Sequence, residues 1–372
     1  MLSYWQKTDS TAAADSLKSI RAAVAPAAVE SRAFLIAVFL QVFAALVMCA
    51  VARRPMFVGL EDSYETFLGA GALFGVMGLA IGLFQRRQTI GSHQASLQNY
   101  RLAWRSLRSD TLTAQYFANV VIVFLVAPVG LSAFSAAKQA IPFIHPFSWD
   151  ARIAALGAAI HGGKHLWVSL QPILAHPAVT VAMDWFYHRL WAVLLFGAFA
   201  CGALLPPSPL RRRYLLAFVL VFLIVGTVGA LALSSAGPAY YARVVGRSSS
   251  DPYAPLLSYL DSVNVRDGLL SVRGQGGLWY AYTHDVEALG FGISAMPSVH
   301  VASATLVALF GFALARPIGA LLGLIAVCTF VVSVALAWHY SLDGYVGAFL
   351  ACCIWWFAGR ITRERRLTND PR

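Results

Sequence analysis

Three side chains in the C-terminal third of the chain have the types and spacing for phosphoryl chemistry. His300 ends the stretch "AMPSVH", residues 295–300, and His339 and Asp343 bound "HYSLD", residues 339–343. On a helix, a carboxylate four residues after a histidine lies on the same face. It can hold the Nδ1 proton, fix the tautomer and leave the Nε2 lone pair exposed, which is the arrangement of an oriented nucleophile or base. Pro297 and Ser298 precede His300, and proline is favoured in a first helical turn, where its missing N–H is no loss. The free N–H groups of that turn and the helix dipole make an anion site, to which Ser298 adds a hydroxyl. A histidine beside a bound phosphate can protonate a leaving oxygen. The pattern therefore describes attack of His339 on phosphorus with His300 as general acid. His300 would then act as base for water or an acceptor hydroxyl. No metal and no cofactor is demanded.

Such side chains need elements that hold them. The 372-residue chain is 59% hydrophobic and 12% charged, with mean hydropathy +0.66, which is too apolar for a soluble domain. Only helices and closed β-barrels satisfy their backbone in lipid, and the apolar runs are continuous, not alternating. The fold class is thus an all-α polytopic membrane bundle of about eight transmembrane helices. The runs predict spans over 33–52, 66–84, 116–136, 189–205, 214–233, 298–315, 318–337 and 341–358.

Arginines orient these spans. Arg86, Arg87, Arg101, Arg105 and Arg108 lie between spans two and three, Arg211, Arg212 and Arg213 between four and five, and Arg316 between six and seven. Arg360, Arg363, Arg365 and Arg366 follow span eight. All four groups share one face if both termini are cytoplasmic. Arg53 and Arg54 conflict with that topology, partly offset by Glu61, Asp62 and Glu65. Two long segments, 137–188 and 234–297, then lie on the opposite side, the first with helices in the interface. His300 and His339 fall at that same non-cytoplasmic face, which the arginines alone define. The expected organisation is a cytoplasmic segment 1–30 that is no signal peptide, two added helices and a loop over 31–115, a catalytic membrane domain 116–358 and a basic tail 359–372.

The net charge of +11 is read as topology signals and lipid-headgroup contacts, and nothing indicates a nucleic-acid partner. The five cysteines all fall in apolar runs without zinc-type spacing and read as reduced packing residues. His161, His165, His176, His188 and His284 read as interfacial or hydrogen-bonded structural histidines, and His93 as cytoplasmic surface. Lys138 and Lys164 read as solvated interfacial lysines. Tyr240, Tyr241, Trp279, Tyr280 and Tyr282 are interfacial aromatics on the proposed active face. Gly344 and Gly347 permit close helix packing, and Arg211–Arg213 anchor the topology.

"AMPSVH" followed by "HYSLD" resembles the type 2 phosphatidic acid phosphatase (PAP2) superfamily, which also holds bacterial lipid phosphatases and vanadium haloperoxidases. The resemblance implies a phosphohistidine at His339, general acid catalysis by His300 and orientation by Asp343. It also implies a six-helix core, spans three to eight, behind two N-terminal helices. The common pattern has glycine where Val299 stands and arginine where Ser333 stands. "SAGPAYYARV", residues 235–244, and "MDWFYHRLW", residues 183–191, look like the inositolphosphotransferase branch, similar to inositol phosphorylceramide synthase, as does the region near Asp150. That branch implies transfer of a phosphoinositol-like headgroup from a membrane phospholipid donor to a lipid or polyol acceptor. Ser298, Arg243, Tyr240 and Tyr241 are the expected phosphate-binding residues, with Arg243 replacing the missing arginines. A bacterial inner membrane with a periplasmic active face is the expected location. The alternatives are a lipid phosphate phosphatase that uses water, a transporter or flippase that relays protons through His and Asp, and a bis-histidine haem protein.

Overall fold

A backbone in lipid must satisfy its own N–H and C=O groups, and the apolar runs of this chain do so as helices. The computed structural model describes residues 21–90, 97–246 and 251–362, and no strand occurs among them. The helices are α1 (Arg32–Ala52), α2 (Leu60–Ile90), α3 (Leu97–Asp110), α4 (Ala114–Ile144), α5 (Asp150–Ala159), α6 (Leu166–Leu174) and α7 (Pro177–Leu204), followed by α8 (Pro209–Ala232), α9 (Ala254–Asp267), α10 (Leu270–His284), α11 (Val299–Leu314), α12 (Arg316–Ala335) and α13 (Ser341–Ile361). Seven are long and apolar enough to cross a membrane: α1, α2, α4, α7, α8, α12 and α13. The chain is an integral membrane protein. The segment before residue 21, the tail from residue 363 with Arg363, Arg365 and Arg366, and His93 lie outside the described residues, as do the side chains of Arg86 and Arg87.

Three expected boundaries move, each for a local reason. The sixth expected span, 298–315, is the 16-residue α11, about 24 Å long at 1.5 Å per residue, and it is not among the seven. Ser298 caps it at one end, and extended Ala315 before Arg316 and Pro317 cuts it at the other. α4 runs to Ile144 through Pro128 and Pro142, which buried apolar helices tolerate when neighbours satisfy the freed groups. Lys138 is therefore inside the bundle and not in an outer loop. α7 starts with Pro177 at its first position and continues through a π-helical stretch, Phe186–Leu190. His188 is thus part of a span.

One end of the bundle is stapled by the Arg211–Arg213 triplet. Arg211 is fully buried and donates to the carbonyls of Ala203 and Asn119 at 3.2 and 3.1 Å. Arg212 pairs with Glu30 at 2.8 Å. Arg213 donates to the Trp355 carbonyl at 2.9 Å and lies 3.9 Å over the Trp355 ring. These contacts bring the starts of α1, α4 and α8 to the end of α13. Arg54 lies at the opposite end, where its partners are Asp285 and Glu287. It joins α1 to the loop that leads to His300.

A large apolar core of α1, α4, α7, α8, α11 and α13 fills the bundle. A second core gathers Ile153, Trp167, Tyr253, Leu256, Leu260, Leu269, Leu336 and Tyr340. It lies under α5, α6, α9 and α10, so the two long connections form a packed cap over the end where α11 and α13 begin.

Candidate active site

The element carrying His339 is a turn, not a helix. α12 ends at Ala335, Ala337 turns left-handed at φ +58°, and the Ser333 carbonyl accepts from the N–H groups of Trp338 and His339 at 3.0 and 3.2 Å. The position where the common family pattern has arginine thus closes this turn by its backbone. α13 starts at Ser341 with Tyr340 as its N-cap. Asp343, the third helical residue, reaches back to the Tyr340 N–H at 2.9 Å and to His339 Nδ1 at 3.3 Å with the same Oδ2. The His–Asp pair therefore arises from cap geometry and not from two residues stacked on one helical face. His339 and Asp343 are buried.

Both neighbours of His339 are clamped. The Tyr340 phenol donates to Asp150 Oδ1 at 2.8 Å. Asp150 also accepts from the Ala236 N–H, at 2.9 Å to Oδ2, and from the Gly237 N–H at 2.8 Å. Burial raises the Asp150 carboxyl pKa, and these three donors pull the other way. Gly237 is needed for this approach: its φ is +100°, and a Cβ there would lie 3.0 Å from the Trp338 carbonyl oxygen. On the other side, the Trp338 indole donates to Ser271 Oγ at 3.0 Å, and that hydroxyl donates to Asp184 at 2.6 Å. Asp184 also accepts from the N–H groups of Leu270 and Ser271 at 2.7 and 2.8 Å. Two buried acids from α5 and α7 thus fix the Trp338–His339–Tyr340 turn. An acid in an apolar chain is costly unless partnered, and Asp184 carries that signal in the sequence.

His300 occupies the first turn of α11. Ser298 is its N-cap, accepting from the Val301 N–H at 3.3 Å, and Pro297 lies before the helix. α13 passes close here: a Cβ on Gly347 would lie 2.5 Å from the Ser298 carbonyl oxygen. The His300 ring stacks on Tyr187 at 4.7 Å and tilts against Trp191 at 4.2 Å. Its centroid is 5.9 Å from that of His339.

Both imidazoles line a cavity of about 410 Å³, in the range of small-ligand sites. Its polar end holds Lys138, Ser135, His188, Tyr240 and Ser294, together with the two histidines. Its apolar end is formed by Leu131, Phe134, Leu195, Phe196 and Phe222. Along α7 it extends from His188 to Phe196, about 12 Å at the helical rise. Among the described lining residues Lys138 is the one lysine or arginine.

The expected phosphate-binding residues are distributed unevenly. Tyr240 lines the cavity, with its phenol donating to the Gln275 carbonyl at 2.8 Å. Ser298 is buried as a cap, Tyr241 packs on Tyr253, and exposed Arg243 lies 4.9 Å over the Trp279 ring. None of these three lines the cavity. His161, His165 and His284 make the structural contacts expected of them, with Gly157 and Tyr345, Tyr253, and Tyr280 respectively. His188 and Lys138 depart from expectation, because the longer α7 and α4 carry them into the cavity.

A turn that presents one imidazole in a fixed tautomer to a second imidazole, with a cation beside them and an apolar slot below, can bind a lipid phosphate ester and exchange protons with it. No curated protein and no solved structure matches the chain. A family model described as PAP2 superfamily matches residues 151–357, more than half of the chain, and this stretch contains His300, His339 and Asp343. It begins after α4, so the third expected span and Lys138 lie outside it. The chain belongs to the PAP2 superfamily, and that membership supports an enzyme of the lipid phosphatase or phosphotransferase type.

Proposed function

We propose that this protein is a lipid phosphotransferase working through a phosphohistidine at His339. The observation that carries the reading is the approach of His300 and His339, 5.9 Å between ring centroids, on one cavity with Asp343 at His339 Nδ1. Nε2 of His339 forms a bond to phosphorus as the P–O bond to the leaving alcohol breaks, and His300 gives that alcohol its proton. An acceptor hydroxyl then loses its proton to His300 and bonds phosphorus. The N–P electron pair returns to His339.

Lys138 takes the role expected of Arg243, because it is the one lysine or arginine among the described residues that line the cavity. A single cation suits a phosphodiester, which has one charge less than a monoester. The donor is therefore a phospholipid whose headgroup, phosphoinositol-like by the branch resemblance, travels on His339 to a lipid or polyol hydroxyl. Tyr187, His188 and Trp191 of the "MDWFYHRLW" stretch and Tyr240 of "SAGPAYYARV" all line the cavity, which supports that branch. The apolar end accommodates the lipid chain. On this reading the active face is periplasmic in a bacterial inner membrane and both termini are cytoplasmic, which the arginine groups between the spans support.

Purified protein incubated with a membrane lipid extract should yield new phosphodiester lipids by mass spectrometry, and the His339→Ala variant should yield none. Release of inorganic phosphate from phosphatidic acid, with no use of diester donors, would make the protein a phosphatase instead.

A further inference from the structure

His188, which lines the cavity, belongs to a second histidine–aspartate pair that the mechanism above does not use. His188 and Asp184 stand four residues apart on α7. His188 Nδ1 donates to the Asp184 carbonyl at 2.9 Å and lies 3.4 Å from its Oδ1. The donation to a carbonyl fixes the proton on Nδ1, so Nε2 is an acceptor. Nε2 has no hydrogen-bond partner among the described residues. The ring is held edge-on by Tyr187 at 5.5 Å and Trp338 at 5.8 Å, and both of these are themselves fixed against the catalytic turn or His300. The side chain is one quarter exposed, and the cavity it lines is the one that His300 and His339 share. Asp184 is 4% exposed and already accepts from Leu270 and Ser271, so the pair has little freedom to move.

We infer that His188, oriented by Asp184, is a recognition group for a second hydroxyl of a polyol whose neighbouring oxygen is bonded to, or attacks, phosphorus. The inference rests on the phosphoryl-transfer reading. His300 already balances the protons of both half-reactions, losing one to the leaving alcohol and regaining one from the acceptor. A third imidazole with an open acceptor nitrogen therefore has no proton to move. It accepts a hydrogen bond from a hydroxyl that stays intact. That hydroxyl belongs either to the acceptor or to the headgroup of the donor.

Two arms separate these sources. In the first, one phospholipid donor is offered equal concentrations of 1,2-propanediol and 1-propanol, and the two transfer products are quantified. In the second, kcat/KM is compared for phosphatidylglycerol and phosphatidylethanol donors. Wild-type protein should favour the hydroxylated compound about tenfold in one arm, the worth of one hydrogen bond. His188→Leu should bring that ratio to near one, and His188→Gln, which keeps a polar group near Nε2, should restore part of it. Both readouts are ratios within one preparation, so loss of folded protein cancels. Equal ratios for wild type and His188→Leu in both arms would overturn the inference while transfer itself continues. Turnover that persists in His339→Ala would instead defeat the underlying reading, and this inference with it.

Discussion

The phenol of Tyr340 donates to Asp150 at 2.8 Å, joining residues 190 positions apart. Tyr340 follows the proposed nucleophile directly, so this bond sets the direction in which His339 leaves its turn. Replacing Asp150 by Ala removes the acceptor of three buried donors: the Tyr340 phenol and the N–H groups of Ala236 and Gly237. The expected loss is about 3 kcal/mol or more, measured by chemical unfolding in detergent. Tyr340→Phe, which removes one donor, should cost about 1–2 kcal/mol. A double-mutant cycle of Asp150→Asn and Tyr340→Phe should show coupling, because the two groups share one bond.

His300 and His339 should fail in different ways. His339→Ala should abolish both turnover and acid-labile protein-bound phosphate. His300→Ala should slow release of an alkoxide leaving group by about 10²–10⁴-fold, the usual worth of general acid catalysis. The same variant should lose much less with a p-nitrophenyl ester, whose leaving group needs no proton. Equal losses on both substrates would remove His300 from the acid's role.

Asp343→Asn tests orientation separately from folding. The amide oxygen can still accept the Tyr340 N–H, so the α13 cap should survive with a stability change of about 1 kcal/mol or less. The His339 tautomer is no longer set by a carboxylate. A fall of about 10²-fold or more in kcat, with little change in KM, is the expected outcome.

Lys138→Met should weaken anion binding. Inhibition by inorganic phosphate should lose about one to two orders of magnitude in affinity, in line with about 1.5–3 kcal/mol for a hydrogen bond to a charged group. Arg243→Ala should leave that constant unchanged, because Arg243 lies outside the cavity over Trp279. The opposite pattern would return the phosphate clamp to Arg243. Chelation by EDTA should leave turnover intact, since acid, nucleophile and cation are all side chains of this protein.

Gly347→Ala should be damaging although it adds one methyl. Its Cβ would meet the Ser298 carbonyl at 2.5 Å, forcing α13 from the start of α11 and moving His300 with it. Overpacking of this kind costs about 1–3 kcal/mol, and both thermal stability and kcat should fall.

The sequence determined the class of the molecule and the side chains on which the proposed chemistry rests. Continuous apolar runs can satisfy their backbone in lipid only as helices, and a His–x–x–x–Asp spacing reports a local contact that survives a change in its cause. The helical-face argument reached the right pair, although a helix cap makes the contact. Local order also gave Ser298 a place at a helix start. Tertiary structure alone decided which polar groups meet in the cavity. Lys138 and His188 looked interfacial because helix ends in apolar sequence are poorly marked, and a shift of several residues carried both inside. Arg243 looked available because charge and proximity in sequence say nothing about direction. Asp150 and Asp184 hold the Trp338–His339–Tyr340 turn from about 190 and 150 residues away, and no short-range pattern encodes contacts formed only when distant helices pack.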